Sequence, residues 1–326
     1  MTSDYDRKRI LWIDTAKSLG IFLVFWGHIL YHNDGIEYVT KAIYSFHMPM
    51  YFMLSGMVMR KPDNKWQFIK TKAIRLLIPV IIAYLLFTPL FILLEESTFS
   101  FSIYDVYITG CIAHNPPLWF FICLFEVYCI AALLGICNYS KIMQLVVSVA
   151  AFIFVAVDIH FNLPLYYLGI DKAILALAFF SLGIVLKESI NEMFEKRYFV
   201  VVLTTLWLML GVFLNGKVSM YGFVFHRYTL FVTGAIAGSI TFFYFAKKLE
   251  KNQFIRKYSQ YTIFIIVSHF LLVDVFNRII CNWGMVNPVV YLIVSIMYVT
   301  VCVLLYLPLS RVVVKYFPVI NGSLNF

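Results

Sequence analysis

The stretch ILWIDTAKSLGIFLVFWGHILY, residues 10–31, decides the fold of this 326-residue chain. It is apolar and long enough to cross the roughly 30 Å hydrocarbon core of a bilayer as one α-helix. It also carries Asp14, Lys17 and His28. At about 100° and about 1.5 Å per residue, His28 returns to within roughly 20° of Lys17, roughly 16 Å along the axis. Asp14 falls on nearly the same stripe. An acid, a cation and an imidazole on one face of a membrane helix are costly against lipid. Such groups face a protein interior or a wet cavity and mark substrate or proton paths. Charges in mid-segment, with no small-residue cleavage site after it, argue against a cleaved signal peptide.

The rest of the chain repeats the pattern. It is 62% hydrophobic and 13% charged, with a mean hydropathy of +0.85, well above a soluble domain. Apolar segments fall at 10–31, 42–59, 73–94, 118–137, 141–160, 172–187, 198–214, 226–246, 261–281 and 288–310. They predict an all-α polytopic membrane protein of about ten transmembrane helices. One domain over 1–326 is expected, with no separate soluble domain.

A net charge of +9 could suggest nucleic acid, but its distribution does not. With the N-terminus cytoplasmic, Arg7, Lys8, Arg9, Arg60, Lys61, Lys65, Lys70, Lys72 and Arg75 fall inside. So do Lys141, Lys187, Lys196, Arg197, Lys247, Lys248, Lys251, Arg256, Lys257, Arg311 and Lys315. Only Lys41, Lys172, Lys217, Arg227 and Arg278 fall outside. This bias is the positive-inside rule and puts both termini in the cytoplasm. The six cysteines have no metal-ligand spacing and read as small apolar packers. With no His-x-x-x-His or Cys/His cluster, no metal is expected. One outer connection, 95–117, has an apolar and aromatic middle at 99–112 that suits an interfacial segment or a cover over a site.

The second segment carries Ser45-Phe46-His47-Met48-Pro49-Met50 and then Leu54-Ser55-Gly56. Entering from outside, it puts His47 about as deep as His28, so both imidazoles can share one cavity. Pro49 weakens a helix there and frees a carbonyl. Ser55 and Gly56 permit close helix contact.

Asp14, Lys17 and Gly27-His28, with Phe46-His47-Met48-Pro49 and Ser55-Gly56, resemble the membrane acyltransferase family 3. The likeness is closest to its fucose 4-O-acetylase-like branch. Arg75-Leu76-Leu77-Ile78-Pro79, Pro117-Leu118-Trp119-Phe120 and Tyr258-Ser259 through His269 resemble further motifs of that family. One departure stands out. The family pattern has arginine ten residues before the histidine, and this chain has Lys17. That keeps the charge but loses the bidentate fork.

The resemblance implies O-acyl transfer, usually acetyl, from cytoplasmic acetyl-CoA or another acyl-CoA to a hydroxyl of a sugar, lipid-linked sugar or polysaccharide. It implies a multi-pass protein of a bacterial-type cytoplasmic (inner) membrane. A histidine is the natural general base for a hydroxyl nucleophile. His28 is the expected base, with Asp14 or Glu126 as orienters and His47 assisting or holding the acceptor. Lys17, Arg60, Lys61, Lys72 and Arg75 are the expected hold on the anionic CoA head. His47, Trp119 and His269 are expected at the acceptor. Each residue also has a plain structural reading: an interior hydrogen bond for His28 and His47, a snorkelling Lys17 paired with Asp14, a protonated or paired Glu126, an interfacial Trp119. The rival function is a secondary transporter or flippase with an intramembrane Asp/Lys/His path, against which no Gly/Pro-interrupted pair in corresponding halves suggests an inverted repeat. The acceptor and the oligomeric state are not written in the sequence.

Overall fold

The computed structural model describes residues 10–31, 33–95, 115–163, 169–283 and 287–323. The segment 99–112, Cys111, His114 and the N-terminal Arg7, Lys8 and Arg9 lie outside the described residues. The chain is a helical bundle, with one two-residue β-hairpin, β1 Val218–Ser219 and β2 Val224–Phe225, among the described residues.

The helices are α1 Leu11–Leu30, α2 Glu37–Tyr44, α3 His47–Met57, α4 Lys65–Glu95, α5 Trp119–Leu134, α6 Lys141–Phe161 and α7 Ile170–Glu195. They continue with α8 Arg197–Leu206, which runs on as a π-helical turn Trp207–Phe213, and α9 Tyr228–Lys248. A short α10 Gln253–Arg256 and a 3₁₀ turn Lys257–Tyr261 lead into α11 Thr262–Trp283, and α12 Pro288–Tyr316 follows. Every expected apolar segment has a helical counterpart. Among the described residues 8 helices are long and apolar enough to cross a membrane. The other two segments differ in a way that matters for the site. Segment 198–214 is α8 with its π-helical turn, and segment 42–59 is broken into α2 and α3.

The break falls at Ser45 and Phe46, where Phe46 leaves helical geometry at φ −139°. Pro49 therefore does not kink a continuous helix. It occupies the first turn of α3, where its missing N–H costs nothing. Irregular backbone at membrane depth is tolerated where protein covers it, and α3 is buried along nearly its whole length. Its partner is α7. A methyl group on Gly56 would stand 2.0 Å from the Phe180 carbonyl oxygen, and one on Gly183 would stand 2.1 Å from the Met53 carbonyl oxygen. Two glycines facing each other's backbone bring the helices to direct main-chain contact, the small-residue packing of membrane helices.

The lipid-facing helices read differently. In α6, Ile142, Val146, Val149 and Ile153 are exposed, as are Ile293, Met297, Val301 and Leu305 in α12. In a bilayer these stripes meet acyl chains. The long helices α4, α7 and α12 run past the expected segments 73–94, 172–187 and 288–310. At about 1.5 Å per residue, the 31 residues of α4 outrun the membrane core. Lys65, Lys70, Lys72 and Arg75 thus ride on a helix rather than a loop.

Around this frame α1 sits inside the bundle, against α9, α11 and α12. Trp26 Nε1 donates to Ser295 Oγ at 3.0 Å, and the Tyr291 hydroxyl donates to the Ile29 carbonyl at 2.8 Å. A polar stripe on an interior helix faces protein, as its composition requires. The described free cysteines, Cys123, Cys129, Cys137 and Cys302, are buried or half-buried.

Candidate active site

Three imidazoles gather at the C-terminal end of α1. The His28 ring lies 5.4 Å from that of His269 on α11, 5.6 Å from Phe270 and 6.4 Å from Tyr44 on α2. The Tyr44 ring is 4.9 Å from His47, the first residue of α3. Tyr44 thus bridges His28 and His47, with its hydroxyl 3.5 Å from His28 Nδ1. His47 is 4% exposed and His269 1%, while His28 is half-buried.

The backbone fixes two of the three rings. His47 Nδ1 donates to the Ile43 carbonyl at 2.9 Å, and His269 Nδ1 donates to the Ile266 carbonyl at 2.8 Å. A carbonyl only accepts, so both nitrogens carry the proton, and the neutral rings present Nε2 as a lone pair. His269 Nε2 is buried with no hydrogen-bond partner among the described residues. The carbonyl freed by the break between α2 and α3 is taken in part by His47 itself, so the irregular backbone orients the ring.

Below this layer, towards the basic end of the bundle, lies a cavity of about 260 Å³. Its walls bring together Lys17, Lys72 and Arg75 with Tyr51, Ser55 and Asn321. The Tyr51 hydroxyl donates to the Lys17 carbonyl at 2.9 Å. Lys72 Nζ stands 3.8 Å from the centroid of the Tyr128 ring, a cation–π contact that holds the ammonium at the wall. Asn321, in the turn Pro318–Asn321, accepts from the Phe264 N–H at 3.2 Å and donates to the Gln260 carbonyl at 2.7 Å.

The two layers are in helical register. His47, Tyr51 and Ser55 follow at four-residue steps on one face of α3. On α11, Ile266 lines the cavity and His269 follows one turn on. On α1, Lys17 lines it and His28 lies about 16 Å further on. A cation-lined cavity therefore ends about one helical turn short of a cluster of imidazoles, with three helices contributing to both.

The remaining candidates are distributed as follows. Asp14 is buried in the first turn of α1, about 21 Å of helix from His28, so it belongs to the cation end. Arg60 and Lys61 are exposed in the connection after α3 and do not line the cavity. Trp119 is 5% exposed, not an interfacial belt residue. Its ring stands 6.4 Å from Tyr221 and 6.3 Å from Phe52. Glu126 is half-buried within electrostatic reach of Asp171 and Lys172, and its Oε2 has no hydrogen-bond partner among the described residues. Asp274 is paired with Arg278 at 3.3 Å. Asp158, near the end of α6, is buried. Among the described residues no group of histidine, cysteine and carboxylate side chains could hold a metal ion.

Tyr44, Tyr51, Tyr128 and Asn321 are the residues that the sequence reading missed. Tyr51 was detectable, since it stands four residues from His47 and four from Ser55. Tyr128 and Asn321 carry no local signal, because only the tertiary fold brings them to the cavity.

A family model described as an acyltransferase domain matches residues 10–307. No curated protein matches the chain, and no solved structure does.

Proposed function

On the premise that this chain belongs to the membrane acyltransferase family 3, we propose that it is an acetyl-CoA-dependent O-acetyltransferase acting on a hydroxyl of a sugar, lipid-linked sugar or polysaccharide. It is a multi-pass membrane acyltransferase, and the proposal places it in a bacterial-type cytoplasmic membrane with the cation end facing the cytoplasm. One observation carries the reading: the cavity holding Lys17, Lys72 and Arg75 ends about one turn from His47 on α3 and His269 on α11, with His28 about 16 Å beyond Lys17 on the same face of α1.

The two layers divide the chemistry. The donor is a polyanionic nucleotide on a long flexible arm that ends in a thioester. Lys17, Lys72 and Arg75 hold its phosphates by charge-assisted hydrogen bonds. Lys17 contributes a point charge rather than a fork, so the bidentate contact falls to Arg75. The arm extends past Tyr51 towards the imidazoles, and the roughly 16 Å between Lys17 and His28 is of the order of its length. Arg60 and Lys61 lie outside this path and serve orientation in the membrane.

The acceptor comes from the opposite end. His28 Nε2 takes the hydroxyl proton as the oxygen attacks the thioester carbonyl. The carbon–sulfur bond breaks, the leaving thiolate takes up a proton, and the ester and free CoA depart. For Nε2 to act as base, Nδ1 of His28 keeps its proton and points it at the Tyr44 oxygen. His47 and His269, with Nε2 lone pairs, accept hydrogen bonds from other acceptor hydroxyls. Trp119 and Glu126, grouped with Tyr221, Asp171 and Lys172, form the outer wall.

The test is acetyl-CoA consumption by the purified protein in lipid with a mixed glycan extract as acceptor. The proposal expects consumption by wild type and none by a folded His28→Ala variant. No consumption of any acyl-CoA by wild type would overturn it in favour of solute transport.

A further inference from the structure

A second polar site lies at the basic end of the bundle, away from α11 and the donor cavity, where α7 turns into α8 beside the end of α9. Two clefts meet there. One, of about 710 Å³, is lined by Asn191, Glu195, Arg197, Tyr244, Lys247 and Lys248. The other, of about 400 Å³, shares Arg197 and Tyr244 and runs along α8 and α9 past Val200, Val201, Thr204 and Phe245. From Arg197 to Thr204 is two helical turns, roughly 10 Å along the axis, directed from the basic end into the membrane.

The clefts differ in chemistry. The first sets three cations against one carboxylate. Lys248 Nζ is 5.1 Å from the Tyr244 ring centroid, and Lys247 Nζ is 3.1 Å from Glu250, so both ammoniums are held in place. The second cleft is mostly apolar. Val201 and Phe245 are 60% and 53% exposed, while the Thr204 hydroxyl is turned to its own backbone, donating to the Val200 carbonyl at 2.8 Å. A cationic head cleft continuous with an apolar channel into the membrane matches an amphiphile with an anionic head.

We propose that these joined clefts bind one anionic phospholipid, its phosphate on Arg197, Lys247 and Lys248 and one acyl chain along Val201, Thr204 and Phe245. Basic pockets between membrane helices on the positive side recognise such headgroups. None of these residues belongs to the proposed catalytic path, so the site stands apart from the transferase reading.

Native mass spectrometry of the purified full chain tests it, with phosphatidylglycerol and phosphatidylcholine of identical chains. The expected result is retention of phosphatidylglycerol roughly tenfold over phosphatidylcholine, the order that about one to two lysine or arginine contacts to an anionic headgroup supply. Combined R197Q, K247Q and K248Q substitutions should remove that preference. Val201→Trp, which fills the apolar cleft and leaves the cations intact, should also displace the lipid. Both variants must keep the wild-type melting temperature; a variant that loses it is replaced by Phe245→Trp or by the single R197Q. Equal retention of the two lipids by wild type would overturn the proposal. So would displacement of the lipid by millimolar inorganic phosphate, or binding that survives Val201→Trp, either of which would reduce the site to a free-anion cleft.

Discussion

The imidazole layer and the cation layer of the candidate active site stand on the same three helices, yet they are built in opposite ways. The imidazole layer is packed by aromatic rings; His47 and His269 are buried with their tautomer set by backbone carbonyls, and His28 is half-buried beside them. The cation layer surrounds open space and holds Lys72 at its wall through the Tyr128 ring. A closely packed, oriented group suits proton transfer, since its direction is set before the substrate arrives. An open cationic cavity suits a large, charged, exchanging ligand. The contrast teaches that binding and chemistry are separable along one axis, and it can be broken from either end.

The largest effect is expected in the imidazole layer. His28→Ala should lower kcat by about 10²–10⁴, the range for a lost general base, with KM for the acyl-CoA unchanged in steady-state assays. Lys72→Gln should act at the other end, raising KM for the donor by about 10–100-fold, the worth of a charge-assisted phosphate contact, with kcat retained. Tyr44→Phe keeps the ring and removes the hydroxyl beside His28. A loss of one hydrogen bond, about 1 kcal/mol, should appear as a fall of about fivefold in kcat and a changed pH profile, while KM stays.

Two variants sharpen the lower boundary. Gly322 has φ +66°, and a methyl group there would stand 2.4 Å from the Arg75 carbonyl oxygen. Gly322→Ala should therefore cost about 1–2 kcal/mol, read as a melting point lower by a few degrees and as weaker donor binding, since Arg75 and Asn321 both line the cavity. The smallest effect belongs to Arg60→Gln with Lys61→Gln. These exposed cations lie off the cavity, and donor KM should stay within a factor of about two, as for a surface charge.

How much of this was legible depends on which physical signal each element carries. Helix α1 was readable from end to end, because its stripe of Asp14, Lys17 and His28 is a helical pattern set in an apolar segment. Helix α7 was expected to be short, at 172–187, and runs over Ile170–Glu195. Hydropathy marks where a helix is apolar, and Lys187, Glu188, Glu192 and Glu195 continue the helix beyond that region. Helix α4 is longer at its basic end for the same reason.

The break between α2 and α3 was hidden. Pro49 pointed to a weakened helix, but the interruption lies at Ser45 and Phe46. It is supported by the imidazole of His47 reaching back to Ile43, a contact no periodicity reveals. At the cationic end, Arg60 and Lys61 share a basic stretch with Lys72 and Arg75, and of the four only Lys72 and Arg75, on α4, line the cavity. Glu126 was seen as a costly mid-membrane carboxylate, and its neighbours Asp171 and Lys172 come from a helix whose pairing with α5 the sequence does not state.

The most direct test of the central claim is the affinity of CoA itself, without an acyl group, measured calorimetrically on wild type, His28→Ala and Lys72→Gln. The account predicts that His28→Ala binds CoA as wild type does and that Lys72→Gln binds it at least about tenfold more weakly. Loss of CoA binding in His28→Ala, or full affinity in Lys72→Gln, would contradict the division of the site into a binding end and a chemical end.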